Sequence, residues 1–143
     1  MQRFIELGWH TVPLSGTLER LADGTKTVPG FEKNWREHYT STKNDKATAL
    51  GGAITGKCSN IIAIDCDNTA AFSLISSLDP DYKEIFVSVG KGNEICGTYI
   101  YEYEPELTDT FSIHNAVLSL DIYTDNGFIY LPTAANKTKQ YLG

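Results

Sequence analysis

Cysteine is scarce in this chain, and Cys58, Cys66 and Cys96 have none of the spacings that build a zinc site or a disulfide framework. An odd set of this kind reads as reduced, semi-buried thiols in a cytoplasm-like compartment. No stretch approaches the about 20 consecutive apolar residues of a membrane span. Met1-Gln2-Arg3-Phe4 lacks the charged-then-apolar pattern of a signal peptide. Basic residues are also short: 12 Lys and Arg face 18 Asp and Glu, for a net charge of −6. That balance counts against a strong, metal-independent grip on nucleic acid by counterion release, and leaves the role to a local patch or to bound metal ions. Internal repeats, linkers and low-complexity segments are missing too. The 143 residues therefore read as one domain with a single sizeable core.

What is present is organised around Ile61-Ile62-Ala63-Ile64-Asp65-Cys66-Asp67-Asn68-Thr69, an apolar run ending in two carboxylates two positions apart. A strand points residues i and i+2 to one face, so Asp65 and Asp67 project together from its end. Their repulsion is relieved if they share a divalent cation. The plainer alternative is helix capping by Asn68 or Asp67 ahead of residues 69–78. A cap needs one acid, however, and this strand end offers two. Asp121 ends a second apolar run, Val117-Leu118-Ser119-Leu120. If the two strands are neighbours, three carboxylates converge, and such a trio holds two Mg²⁺ or Mn²⁺ ions about 3.5–4 Å apart for in-line displacement at phosphorus. The alternative for Asp121 is a strand-end acid before a tight turn.

The remaining pattern predicts an α+β fold. Residues 4–14 read as a short helical start and a strand, and 15–30 as a loop with Gly16, Gly24, Pro29 and Gly30 as breakers. A short helix is expected over 34–39. Residues 47–55 are small and apolar, and Gly51-Gly52 there allows close backbone approach. The helix over 69–78 has amphipathic spacing (Ala71, Leu74, Ile75, Leu78) and ends at Asp79-Pro80. Strands are expected over 84–89, 98–103, 116–123 and 128–131, with a loop over 105–114. Asp125-Asn126-Gly127 is a hairpin signal joining the last two. A helix between strands, then a run of antiparallel strands, argues against a doubly wound sheet.

Taken together, these segments resemble the primase-polymerase (prim-pol) domain of the archaeo-eukaryotic primase superfamily, as found in phage, plasmid and viral primase-helicases. Gly8-Trp9…Pro13-Leu14 with Lys26…Pro29…Trp35 resembles the opening segment. Residues 49–60 resemble the glycine-containing lead-in, and Ile61 to Asp67 the hydrophobic-Asp-x-Asp motif. Residues 120–132 resemble the later motif with its single Asp, glycine turn and proline. The order and spacing hold over nearly the whole chain. The resemblance implies an RRM-like catalytic sheet preceded by a small α/β element. It also implies Asp65, Asp67 and Asp121 as catalytic residues and ligands of Mg²⁺ or Mn²⁺. The activity expected is template-directed nucleotidyl transfer, with single-stranded DNA and nucleoside triphosphates as partners and a helicase domain or protein alongside. The compartment is then the cytoplasm, the host's if the replicon is a phage or virus. The family's domain continues past the Pro132 motif, so the resemblance marks this chain as truncated or reduced.

The family's middle motif carries a phosphate-contacting histidine, and this sequence departs there. Thr98, or with a one-residue shift Tyr99, stands in its place. Lys91 in the Gly90-Lys91-Gly92 turn is the candidate substitute for phosphate binding, against a plain hairpin lysine. Lys57 and Ser59 are further nucleotide-binding candidates at the glycine-lined approach to the central strand, whereas Lys26 reads better as a solvated loop lysine. His114 lies too far along the chain to replace the missing histidine, and none of the three histidines is expected to bind zinc. Two rival readings stand beside this one. Asp65-Cys66-Asp67-Asn68-Thr69 fits the Asp-x-Asp-x-Thr pattern of haloacid-dehalogenase-type phosphatases, though it lies deep in the chain and antiparallel strands follow it. Alternatively, a non-catalytic module binds single strands or a partner, with Tyr99, Tyr101 and Tyr103 as a stacking surface rather than packing.

Overall fold

A computed structural model describes all residues except Lys83, Thr108 and Gly143. One position of the loop expected over 105–114, and the last residue of the chain, therefore lie outside the described residues. The chain opens with α1 (Gln2–Glu6) and β1 (Thr11–Leu14), then α2 (Trp35–Ser41) and β2 (Leu50–Ile54). The central strand β3 (Ile61–Cys66) leads into α3 (Thr69–Leu78). Six short strands follow: β4 (Ile85–Val89), β5 (Ile95–Glu102), β6 (Phe111–His114), β7 (Ser119–Tyr123), β8 (Phe128–Tyr130) and β9 (Lys139–Tyr141). They form a three-stranded sheet, β1-β2-β8, and a six-stranded sheet, β6-β7-β3-β5-β4-β9. Every strand pairing is antiparallel, so the architecture is mixed α and β with antiparallel sheets. Among the described residues no helix is long and apolar enough to cross a membrane.

Alternation along β3 divides the core. Ile61 and Ala63 face a cluster with Phe4, Trp9, Ala53, Phe86, Ile100, Ile129 and Leu131, which joins α1 and the small sheet to the large one. The other face carries Cys66 with Tyr99 and Leu120 under Ala71 of α3. Gly97, opposite Cys66, is what lets the helix sit so close, since a Cβ there would meet the Phe72 ring at 2.5 Å. Helix α3 starts where the amphipathic spacing places it because Asn68 caps it: its side-chain oxygen accepts from the Ala71 amide at 2.9 Å. The cap is thus Asn68, and neither Asp65 nor Asp67 serves in that role.

Three expectations need correction. The segment over 105–114 is not all loop, because Phe111–His114 pairs with β7 as an edge strand. Its alternation of apolar Phe111 and Ile113 with polar Ser112 and His114 is a strand pattern. Asp125-Asn126-Gly127 makes a turn, but β7 and β8 do not form a hairpin. Thr55, just past β2, accounts for this: its amide donates to the Gly127 carbonyl at 2.9 Å and its hydroxyl to the Thr124 carbonyl at 2.6 Å. The turn is drawn onto the small sheet, where the Phe128 ring packs against Gly52, a position with no room for a Cβ. Finally, the strand expected over 98–103 begins earlier, at Ile95, and β9 was not foreseen.

Candidate functional site

The register of the large sheet assembles the site. Asp65 lies directly opposite Asp121 on β7 and directly opposite Thr98 on β5. Thr98 is fully buried and donates to Asp65 Oδ1 at 2.8 Å. Asp67, just beyond the strand, is held by its amide donating to the Ser119 carbonyl at 2.8 Å. The three carboxylates expected together are therefore neighbours at the Cys66 end of β3.

Their protonation is unequal. Loss of hydration, then the Asp65 charge, then the contact with Asp121 push Asp67 up to about 6. Asp121 goes the other way: burial raises it, but hydrogen bonds from Ser112, His114 and Asp67 more than offset this and hold it below the usual carboxylate range. Burial, followed by Asp65 and Asp67, pushes the Cys66 thiol up to about 12. Burial, followed by Asp121, Asp65 and Asp67, does the same to the Tyr123 phenol. Both stay protonated near neutrality, and Cys66 is no nucleophile.

Facing the acids is a cleft of about 460 Å³, lined by Asp65 and Asp67 and by the cations Arg20, Lys26, Lys91 and Lys139. Lys91 reaches it from the turn after β4, its aliphatic stem lying over Gly24, where an added Cβ would meet Lys91 Cε at 3.0 Å. Lys26 is exposed, as a solvated loop lysine would be, and it also lines the cleft; its backbone bridges that of Arg20 within the segment over 15–30. Lys139, on β9, donates to the Thr98 hydroxyl at 3.2 Å and to the Tyr130 carbonyl at 3.1 Å. Burial lowers its pKa, while Asp65 draws it back toward the charged form. Thr98 thus relays between Lys139 and Asp65.

Two expected nucleotide-binding residues are elsewhere. Lys57 and Ser59 precede β3, so a whole strand separates them from Asp65 at its far end. Ser59 is buried, accepting from the His10 amide at 2.9 Å and donating to the Ile54 carbonyl. Lys57 lines a different pocket, with His10, Cys58 and Asp125. In the other direction, His114 is closer than its sequence position indicated. The β6–β7 turn folds it back, so that Nε2 lies 2.9 Å from Asp121 Oδ1 and Nδ1 lies 2.6 Å from Ser119 Oγ. Donor atoms of Asp67, His114 and Asp121 all lie within 4.8 Å of one another.

Sequence reasoning missed Lys139, Arg20 and the position of His114. The alternation of Ser112 and His114 was the available signal for His114, whereas nothing local marks Lys139 as facing Asp65. Of the tyrosines considered as a stacking surface, Tyr99 is fully buried and Tyr101 stacks on Tyr82, with ring centroids 4.4 Å apart. Tyr103 donates to Asp125 at 3.0 Å. These rings are engaged in packing and bonding within the fold. Asp125 itself sits at the opposite end of β3 from Asp65, bonded to the Lys57 amide at 2.9 Å, whereas Ser88 and Lys91 line the cleft that holds Asp65 and Asp67. Comparison with protein-family models, curated proteins and solved structures finds no match to this chain.

Proposed function

We propose that this chain is a prim-pol-type nucleotidyltransferase domain, with an RRM-like catalytic sheet, that adds nucleotides to a primer or initiating 3′-hydroxyl along a single-stranded DNA template. One observation carries this reading. A single cleft divides its lining between carboxylates (Asp65 and Asp67, with Asp121 opposite Asp65 in the sheet) and the basic side chains Arg20, Lys26, Lys91 and Lys139. That division suits a nucleoside triphosphate, whose phosphates need positive charge along their length and a divalent ion at the reacting end.

The donor set fits Mg²⁺ or Mn²⁺: oxygen atoms from Asp65, Asp67 and Asp121, with the His114 nitrogen adjoining. Bound divalent ions would lower the pKa of the attacking hydroxyl and neutralise developing charge on phosphorus. The chain's own residues do the rest. Lys139, Lys91, Lys26 and Arg20 hold the triphosphate, which places its α-phosphate toward the carboxylates. Lys139 and Thr98 occupy the region where the family's histidine is expected, and supply between them a cation and a fixed hydroxyl. Thr98 orients Asp65, and Ser112 and His114 orient Asp121. Catalysis here is positioning and charge neutralisation, without a covalent intermediate. A helicase domain or protein would supply further single-stranded template.

The test is primer synthesis and extension on single-stranded DNA with labelled nucleotides and Mg²⁺ or Mn²⁺, wild type beside Lys139→Met. Product from the wild type, sharply reduced in the variant, supports the reading. A folded wild type that binds template but makes no product would replace it with the non-catalytic module.

A further inference from the structure

The two edges of the large sheet are finished differently. At one edge β9 is three residues long, and its Lys139 is an inward-pointing charge bonded to Thr98. Both are devices by which natural sheets keep further strands from joining. At the other edge β6 reads Phe-Ser-Ile-His, with no lysine, proline or acid. Half of its backbone N–H and C=O groups point away from β7. Among the described residues no further strand or backbone hydrogen bond meets them. Its side chains are open as well. Phe111 and Ile113 pair with Ile122 and Leu120, and so extend the apolar row that α3 covers on β3, β5 and β7. Beyond α3 that row is bare: Phe111 is 45% exposed and Ile113 39%.

Charge decides what suits this edge. From residue 92 to 136 the chain has no Lys or Arg, and the loop entering β6 carries Glu104, Glu106 and Asp109, all exposed. Phosphate backbones are repelled there, and the β6 edge of a second copy offers the same acids and no cation. We propose that β6 is a docking edge for an extended segment of a partner protein. The segment adds as a seventh strand, covers Phe111 and Ile113 with alternate apolar side chains, and answers the acidic loop with Lys or Arg. Backbone pairing supplies the affinity, and the apolar and basic positions supply the specificity. The inference is independent of the nucleotidyl-transfer reading, because Phe111 and Ile113 lie on the face of the sheet opposite to Asp121.

The experiment adds a synthetic peptide, Lys-Lys-Val-Thr-Ile-Thr-Val-Lys-Lys, to the whole isotope-labelled chain and follows the backbone amides by NMR. Saturable binding should shift the amides of 111–114 most, with those of Glu104, Glu106 and Asp109. A peptide with Glu in place of its lysines, and one with its central amides N-methylated, should each bind at least about tenfold more weakly. Ile113→Lys, its fold checked by circular dichroism, should weaken binding of the first peptide likewise. No binding to the folded chain, shifts confined to other residues, or equal binding of either altered peptide overturns the inference. So does a chain that dimerises through β6 on its own in sedimentation, which gives the edge to a second copy.

Discussion

The two ends of β3 carry the same residue type in opposite circumstances. At the Ile61 end, Asp125 caps a turn: one oxygen accepts from the Lys57 amide, the other from the Tyr103 hydroxyl, and a Cβ on Gly56 would meet the Asp125 Cα at 2.5 Å. That carboxylate is surrounded by neutral donors and backbone. At the other end, Asp65, Asp67 and Asp121 face one another, and loss of hydration together with that company raises Asp67 to about 6. A carboxylate that organises a turn is satisfied by its neighbours, whereas carboxylates gathered at one strand end perturb one another's ionisation. The basic side chains that answer this charge come from segments remote in sequence, and Lys139 reaches Asp65 through the Thr98 hydroxyl.

The largest effect expected from this contrast is on catalysis. Asp65→Asn should lower nucleotide incorporation by at least about a hundredfold while leaving the melting temperature unchanged or slightly raised, because it removes like-charge repulsion. Asp125→Ala should do the reverse, costing about 1–2 kcal/mol of stability in a denaturant titration with the rate per folded molecule intact. A smaller effect belongs to the basic wall. Lys139→Met should raise KM for the nucleoside triphosphate about tenfold without unfolding the chain, because it also relieves the burial of a charge; steady-state kinetics at fixed template would show it.

The smallest effect is in pH dependence. Because the folded pKa of Asp67 lies above its usual 3.8, the fold binds this proton more tightly than the unfolded chain does. The contribution to stability is fully present below about pH 4 and is lost as pH rises through about 6. Asp121, held low, contributes with the opposite sign, its share being lost on acidification. The Asp67 part is isolated by difference: between pH 4 and 7 the melting temperature of Asp67→Asn should fall less than that of wild type. Equal slopes would mean that Asp67 ionises freely in the fold.

Much of this was legible in the sequence where the signal is local. Helix α3 could be read to its ends because apolar spacing, the Asn68 cap and Asp79-Pro80 all act within a few residues. The placing of Asp65 beside Asp121 followed from two apolar runs that each end in an acid, since strand ends align when their apolar stretches pair. What stayed hidden depends on distant partners. Thr55 redirects the turn at Asp125, and so splits β7 and β8 between two sheets. Lys139 reaches Thr98 across 41 positions. Lys57 misled because nearness in sequence to β3 is not nearness to its far end. His114 misled for the opposite reason, since a tight β6–β7 connection undoes its separation from Asp121.

The most direct test of the contrast between the two strand ends measures nucleotide incorporation and thermal melting together for Asp65→Asn and Asp125→Ala. The account predicts a folded, inactive protein from the first and a destabilised protein with normal activity per folded molecule from the second. Wild-type incorporation by Asp65→Asn, or equal loss of activity from both, would contradict it.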